Sequence, residues 1–153
     1  MDIQGLIEVD HLILSYFNGS DSLFIDGLIV TLTSGLTWLP LYLSLFYIIV
    51  KNNETMSQIC LIICCAILCV FFADGMADGI VKPLVARFRP CNDPVIKYSI
   101  DVVGNMRETG YSFFSAHAAN TFSLAIFFSL LVKDKFFTAF MIGWSLLNCY
   151  TRL

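Results

Sequence analysis

The sequence predicts an all-α, polytopic membrane helical bundle of about four spans behind an N-terminal amphipathic helix. Two observations carry that prediction. Of the 153 residues, 58% are hydrophobic and only 14% are charged, against about 45–50% and about 25% in an average soluble domain. The apolar residues are also segmented: long runs alternate with short charged loops, as in successive helices that cross a bilayer. The formal net charge of −3 excludes the basic face that a nucleic-acid binder presents, so membrane lipids, and no nucleic acid, are the expected surroundings. Residues 1–153 are expected to form a single domain.

The N-terminal stretch MDIQGLIEVDH has no basic region ahead of an apolar core and is not expected to act as a signal peptide. Over residues 3–17, Gln4, Glu8, His11 and Ser15 follow one helical face, and Ile3, Leu6, Ile7, Val9, Ile13 and Phe17 take the other. That helix is too short and polar to span and is expected at the interface, with His11 facing solvent. Asn18-Gly19-Ser20-Asp21 is a turn and N-cap signal. The apolar run from Leu23 to Val50 is interrupted at Ser34-Gly35. It predicts a short helix to about Thr33 and a first span over about Leu36 to Val50, with Trp38 and Tyr42 as interfacial anchors and Pro40 tolerated in the first turns.

A second span is expected over about Met56 to Val81. Asp74, Asp78 and Lys82 stand at i, i+4 and i+8 and share a face, where both carboxylates are expected to neutralise Lys82. A polar loop from about Cys91 to Gly110 leads to a third span, about Tyr111 to Val132. The tight loop Lys133-Asp134-Lys135 then leads to a fourth, from Phe136 to Leu153. Cys60, Cys64, Cys65 and Cys69 fall inside one apolar run, without metal-ligand spacing, so they are read as small hydrophobes and no metal or cofactor is expected. Lys51, Lys133 and Lys135 lie at one end of the alternating spans, which the positive-inside rule assigns to the cytoplasm. The more numerous cations of the other end, Lys82, Arg87, Arg89, Lys97 and Arg107, are discounted as placed by a binding site against Asp and Glu partners. The Lys82–His117 end is then extracytoplasmic.

That end concentrates the ionisable chemistry. Lys82, Arg87 and Arg89 stand in VKPLVARFRP, and Ser115 and His117 in YSFFSAHAAN. The alternation of spans also brings Arg152 to the same surface. A phosphate monoester carries about two negative charges and several acceptor oxygens. Arginine forks meet such oxygens bidentately. Lys82, Arg89 and Arg152 are therefore expected to bind it, with the Ser115 hydroxyl and the N–H groups of the helix start as further donors. A protonated His117 beside the anion could protonate a departing alkoxide.

These residues resemble a family. Lys82 through Pro90 fits K-x6-R-P, the first signature of the type 2 phosphatidic acid phosphatase superfamily. Phe114-Ser115-Ala116-His117 looks like its second, P-S-G-H, with Phe for Pro and Ala for Gly. Thr151-Arg152 looks like the opening of its third, S-R-x5-H-x3-D, with Thr for Ser.

The resemblance implies a metal-independent lipid phosphatase of the bacterial inner membrane, acting on a lipid phosphate or diphosphate of the undecaprenyl diphosphate or phosphatidic acid type. In that family the third-signature histidine attacks phosphorus, the aspartate after it orients the imidazole, and the residue matching His117 protonates the leaving group. Lys82, Arg89, Ser115 and Arg152 match its phosphoryl-binding residues, and Arg152 is placed with His117 in the catalytic set. The chain stops at Leu153, before the nucleophile and the last core helix. It is expected to be a truncated core that is inactive as it stands, or alternatively a non-catalytic binder of anionic headgroups.

Overall fold

The computed structural model describes residues 23–92 and 110–151, together with 5, 9, 12 and 13. The last four are helical. The rest of the expected amphipathic helix, His11 included, lies outside the described residues. Five helices follow: α1 (Leu23–Thr33), α2 (Leu39–Asn52), α3 (Met56–Val85), α4 (Ala116–Val132) and α5 (Lys135–Tyr150). Among the described residues the only sheet-like feature is one antiparallel bridge, Phe88 with Tyr111.

The interruption at Ser34-Gly35 is a real bend. Ser34 is extended (φ −69°, ψ 127°) and a single 3-10 turn, Gly35–Trp38, leads into α2, so the apolar run turns by 65°. The corner is tied by the Trp38 indole N–H, which donates to the Leu32 carbonyl at 2.8 Å. Pro40 sits in the first turn of α2, where its missing N–H removes no helical bond.

The helix α3 is N-capped by Thr55, whose hydroxyl accepts from the Gln58 N–H at 3.4 Å. It continues past the expected end at Val81, because a wider π-helical segment, Gly75–Val81, passes into a last α-turn, Lys82–Val85. Ala86 then stops it in the left-handed region (φ 50°), its N–H closing on the Lys82 carbonyl at 2.9 Å. Ser115 caps the start of α4 and Lys133, also left-handed, ends it; Asp134 caps α5, accepting from the Phe137 N–H at 2.7 Å.

The core is a seam of α2, α4 and α5. Leu45 and Ile49 come from the first, Ala125 and Phe128 from the second, and Met141 and Trp144 from the third. Thr121, Ser145 and Asn148 are buried in the same seam. The Ser145 hydroxyl donates to the Thr121 and Met141 carbonyls, both at 3.0 Å. Small and hydroxyl-bearing residues let membrane helices approach closely.

Outside the seam the helices are apolar and exposed. No residue of Met56–Asp74 is buried, and Leu61 and Phe71 are each about two-thirds exposed. One face of this helix, with Ile59, Ile62, Ile63 and Ala66, packs on the seam, and the apolar residues left exposed on the rest of it are suited to lipid rather than water. By length and composition α3 can cross a bilayer, and the bent α1–α2 pair can be counted as a second span. The expected third and fourth spans are shorter than predicted, at 17 and 16 residues, or roughly 25 Å each. The reason at the α4 end is local: Tyr111 and Ser112 are taken up in pairing with Phe88 and Arg87, so the helix begins only at Ala116.

Candidate phosphate site

The two polar stretches that stand apart in sequence are stitched together in space. Beyond the bridge of Phe88 with Tyr111, the Ser112 N–H donates to the Arg87 carbonyl and the Ser112 hydroxyl to the Phe88 carbonyl, each at 3.0 Å. The Phe88 and Tyr111 rings lie 6.3 Å apart between centroids. Gly110 leads into this pairing at φ +101°, a conformation that favours glycine. The end of α3 and the start of α4 are thereby held side by side.

Lys82 stands at the first residue of the last α-turn of α3, its side chain 16% exposed and ion-paired to Asp78. Arg89 is half-buried and immediately precedes a 3-10 turn, Pro90–Asn92, closed by the Asn92 N–H on the Arg89 carbonyl at 2.8 Å. Ser115 occupies the N-cap of α4; its hydroxyl accepts from the Ala118 N–H at a long 3.4 Å. His117 is half-buried in the first turn. The start of a helix is a region of unpaired N–H groups and positive dipole, suited to an anion.

The third polar cluster is placed by register. Ser145 of α5 meets Thr121 of α4 through their 3.0 Å hydrogen bond. Thr151 lies six residues beyond the first and Ser115 six before the second, so in antiparallel helices both stand about 9 Å further toward the same end. Thr151 is held there, its N–H on the Leu147 carbonyl at 3.1 Å and its hydroxyl on the Asn148 carbonyl at 2.9 Å. Arg152 lies outside the described residues.

One expectation is corrected. Asp74 and Asp78 do not share Lys82: Asp78 pairs with it, whereas Asp74 accepts from the Asn120 amide of α4 at 3.1 Å. The π-helical segment separates the two carboxylates by a turn wider than an α-turn, so the i, i+4, i+8 alignment on an ideal α-helix does not hold over its length. Asn120 and Ser112 carry structural bonds that the sequence reading passed over. For Asn120 the signal was available, as an amide three residues past His117 in an apolar run.

Just below the site a groove of about 630 Å³ opens along α3, lined by apolar side chains from Ala66 to Phe71 and by Leu124, with Asp74 and Asp78 at its upper end.

Residues 58–153 match the family model of the PAP2 superfamily. Two curated relatives are lipid A 4'-phosphatases. That of Bacteroides thetaiotaomicron is 37% identical over 152 residues, covering 99% of this chain and 67% of the relative. That of Porphyromonas gingivalis is 26% identical over 151 residues, covering 99% and 64%. The chain thus spans about two thirds of the length of these relatives. No solved structure matches it.

Proposed function

The chain belongs to the PAP2 superfamily, and on that premise we propose that Lys82, Arg89, Ser115, His117 and Arg152 form the phosphoryl site of a membrane lipid phosphatase. The observation that carries this reading is the pairing of Arg87–Phe88 with Tyr111–Ser112, which holds the K-x6-R-P stretch against the start of the His117 helix. Arg89 and Lys82 neutralise the phosphate, the latter released in part from Asp78 as the anion arrives. Ser115 and the N–H groups of the first turn of α4 donate to the equatorial oxygens as negative charge grows there. His117 protonates the departing sugar or glycerol oxygen.

The 153 residues hold two histidines, His11 and His117. The phosphohistidine step requires the histidine of the third signature, which neither of them matches. For these residues alone the proposal is therefore phosphate binding, with hydrolysis in a protein that also supplies that histidine. The substrate class is a lipid phosphate: the groove along α3 would take an acyl chain below a headgroup held at Lys82. The relatives make lipid A 4'-phosphate the first substrate to test, with undecaprenyl diphosphate and phosphatidic acid as comparators. Lys51, Lys133 and Lys135 at the opposite end favour an extracytoplasmic active face in a bacterial inner membrane.

The hydrolysis test uses a protein that also supplies the third-signature histidine, in detergent micelles with EDTA. Release of phosphate from lipid A is expected to survive chelation; loss of turnover on chelation contradicts the metal-free mechanism. His117→Ala should lower turnover while sparing orthovanadate binding more than Arg89→Ala does. The reverse order removes the general-acid assignment.

A further inference from the structure

We propose that Asp74 and Asn120 are positioning residues whose hydrogen bond sets the height of the Lys82 end of α3 against the Ser115–His117 end of α4. The proposal rests on the phosphate-site reading and adds to it two residues that belong to none of the three signatures.

Helices α3 and α4 are tied at two levels. The upper tie is the pairing of Phe88 and Arg87 with Tyr111 and Ser112. The lower is the Asn120 amide nitrogen on Asp74 at 3.1 Å. Between these ties lie Lys82, Ser115 and His117, with Arg89 directly beside the upper one. On α3 the intervening chain is the π-helical segment Gly75–Val81, which contains Gly75 and Gly79. A π-segment has wider turns than an α-helix, and glycine adds backbone freedom, so this stretch does not by itself dictate where Lys82 stands. Asp74 is the residue immediately before it, and the bond to Asn120 anchors its lower edge.

The pairing is specific in two respects. Asp78 is engaged with Lys82, which leaves Asp74 to face α4 rather than to act as a second counter-ion. The Asn120 amide oxygen is buried without a hydrogen-bond partner, a penalty that leucine at this place would avoid. The Asn120 amide nitrogen gives its bond to Asp74. Three residues apart on α4, His117 and Asn120 share a face, so the bond that holds Asn120 toward α3 also sets how His117 is presented to the cradle. Among the described residues, the charged and titratable groups facing the pair from α3 and α4 are Asp78, Lys82 and His117. The described part of α5 near this end, Trp144 to Thr151, has no carboxylate or cation.

The test measures orthovanadate affinity, its pH profile and thermal unfolding in micelles. The variants are Asn120→Leu, Asn120→Asp, Asp74→Asn and the exchanged pair Asp74→Asn/Asn120→Asp. Asn120→Leu should remain folded, its unfolding midpoint unchanged or higher, yet bind vanadate about tenfold more weakly, because displacements of about 1 Å at such sites have effects of that order or more. Asn120→Asp sets two carboxylates face to face, so its affinity should recover as pH falls and a shared proton rebuilds the bond. The exchanged pair reverses donor and acceptor and should return affinity at neutral pH to within about threefold of the parent. Parental affinity in folded Asn120→Leu, or an exchanged pair no better than either single variant, overturns the proposal. Failure of the parent protein itself to bind vanadate would instead overturn the phosphate-site reading.

Discussion

Ser115 does two things in the proposed site, and a pair of substitutions separates them. As the N-cap of α4 it is extended (φ −70°, ψ 115°) and accepts from the Ala118 N–H at 3.4 Å. Removing an N-cap hydroxyl destabilises by about 0.5–2 kcal/mol, and so long a bond places Ser115→Ala near the lower end of that range. As a phosphate ligand its hydroxyl would donate to a charged oxygen, a bond of about 1.5–3 kcal/mol. At 1.4 kcal/mol per decade that is roughly a 10- to 150-fold loss of affinity. Ser115→Ala should therefore unfold slightly earlier and bind orthovanadate much more weakly.

Ser115→Asp breaks the correlation. Aspartate caps as well as serine and its charge favours the helix N-terminus, so stability should be retained or raised. The same charge repels the phosphate, and vanadate binding should be abolished. Thermal unfolding followed by near-ultraviolet circular dichroism and vanadate binding followed by vanadium NMR read the two quantities on the same sample. Vanadate binding by Ser115→Asp at the parental level, or a Ser115→Ala variant that loses stability alone, would refute a role for this hydroxyl beyond the cap.

Two further predictions concern the scaffold. Gly110→Ala meets no atom within 4 Å, so the strain comes from its φ of +101° alone; it should destabilise by about 1–2 kcal/mol and weaken vanadate binding by loosening the Phe88–Tyr111 pairing. An unchanged unfolding curve and affinity would show that this turn does not hold the two stretches together. Met141→Ala empties a fully buried place between α4 and α5 and should destabilise by about 2–5 kcal/mol. A shift well below that range would mean that the seam closes around the space.

The helices were legible because their signals are local. Apolar runs and the Ser34-Gly35 break are each written within a few residues, and the observed elements follow them; the caps Thr55, Ser115 and Asp134 emerged only with the structure. Boundaries moved where a distant segment intervened. Tyr111 and Ser112 could have begun a helix, but pairing with Phe88 and Arg87 satisfies their backbone instead. The end of α3 moved because a π-helical segment carries the helix past Val81.

The candidate site divides in the same way. Lys82, Arg89, Ser115 and His117 could be named from residue type and spacing, since cations and donors at helix ends are chemistry that the sequence displays directly. The division of labour between Asp74 and Asp78 could not. On an ideal α-helix both carboxylates align with Lys82; only the packed structure shows one on that cation and the other on Asn120 of the neighbouring helix. By itself, then, the sequence determined the all-α class and the kinds of groups in the proposed phosphate site. Tertiary structure decided which helix ends meet and which carboxylate is free to hold them in register, because those outcomes depend on contacts between residues dozens of positions apart.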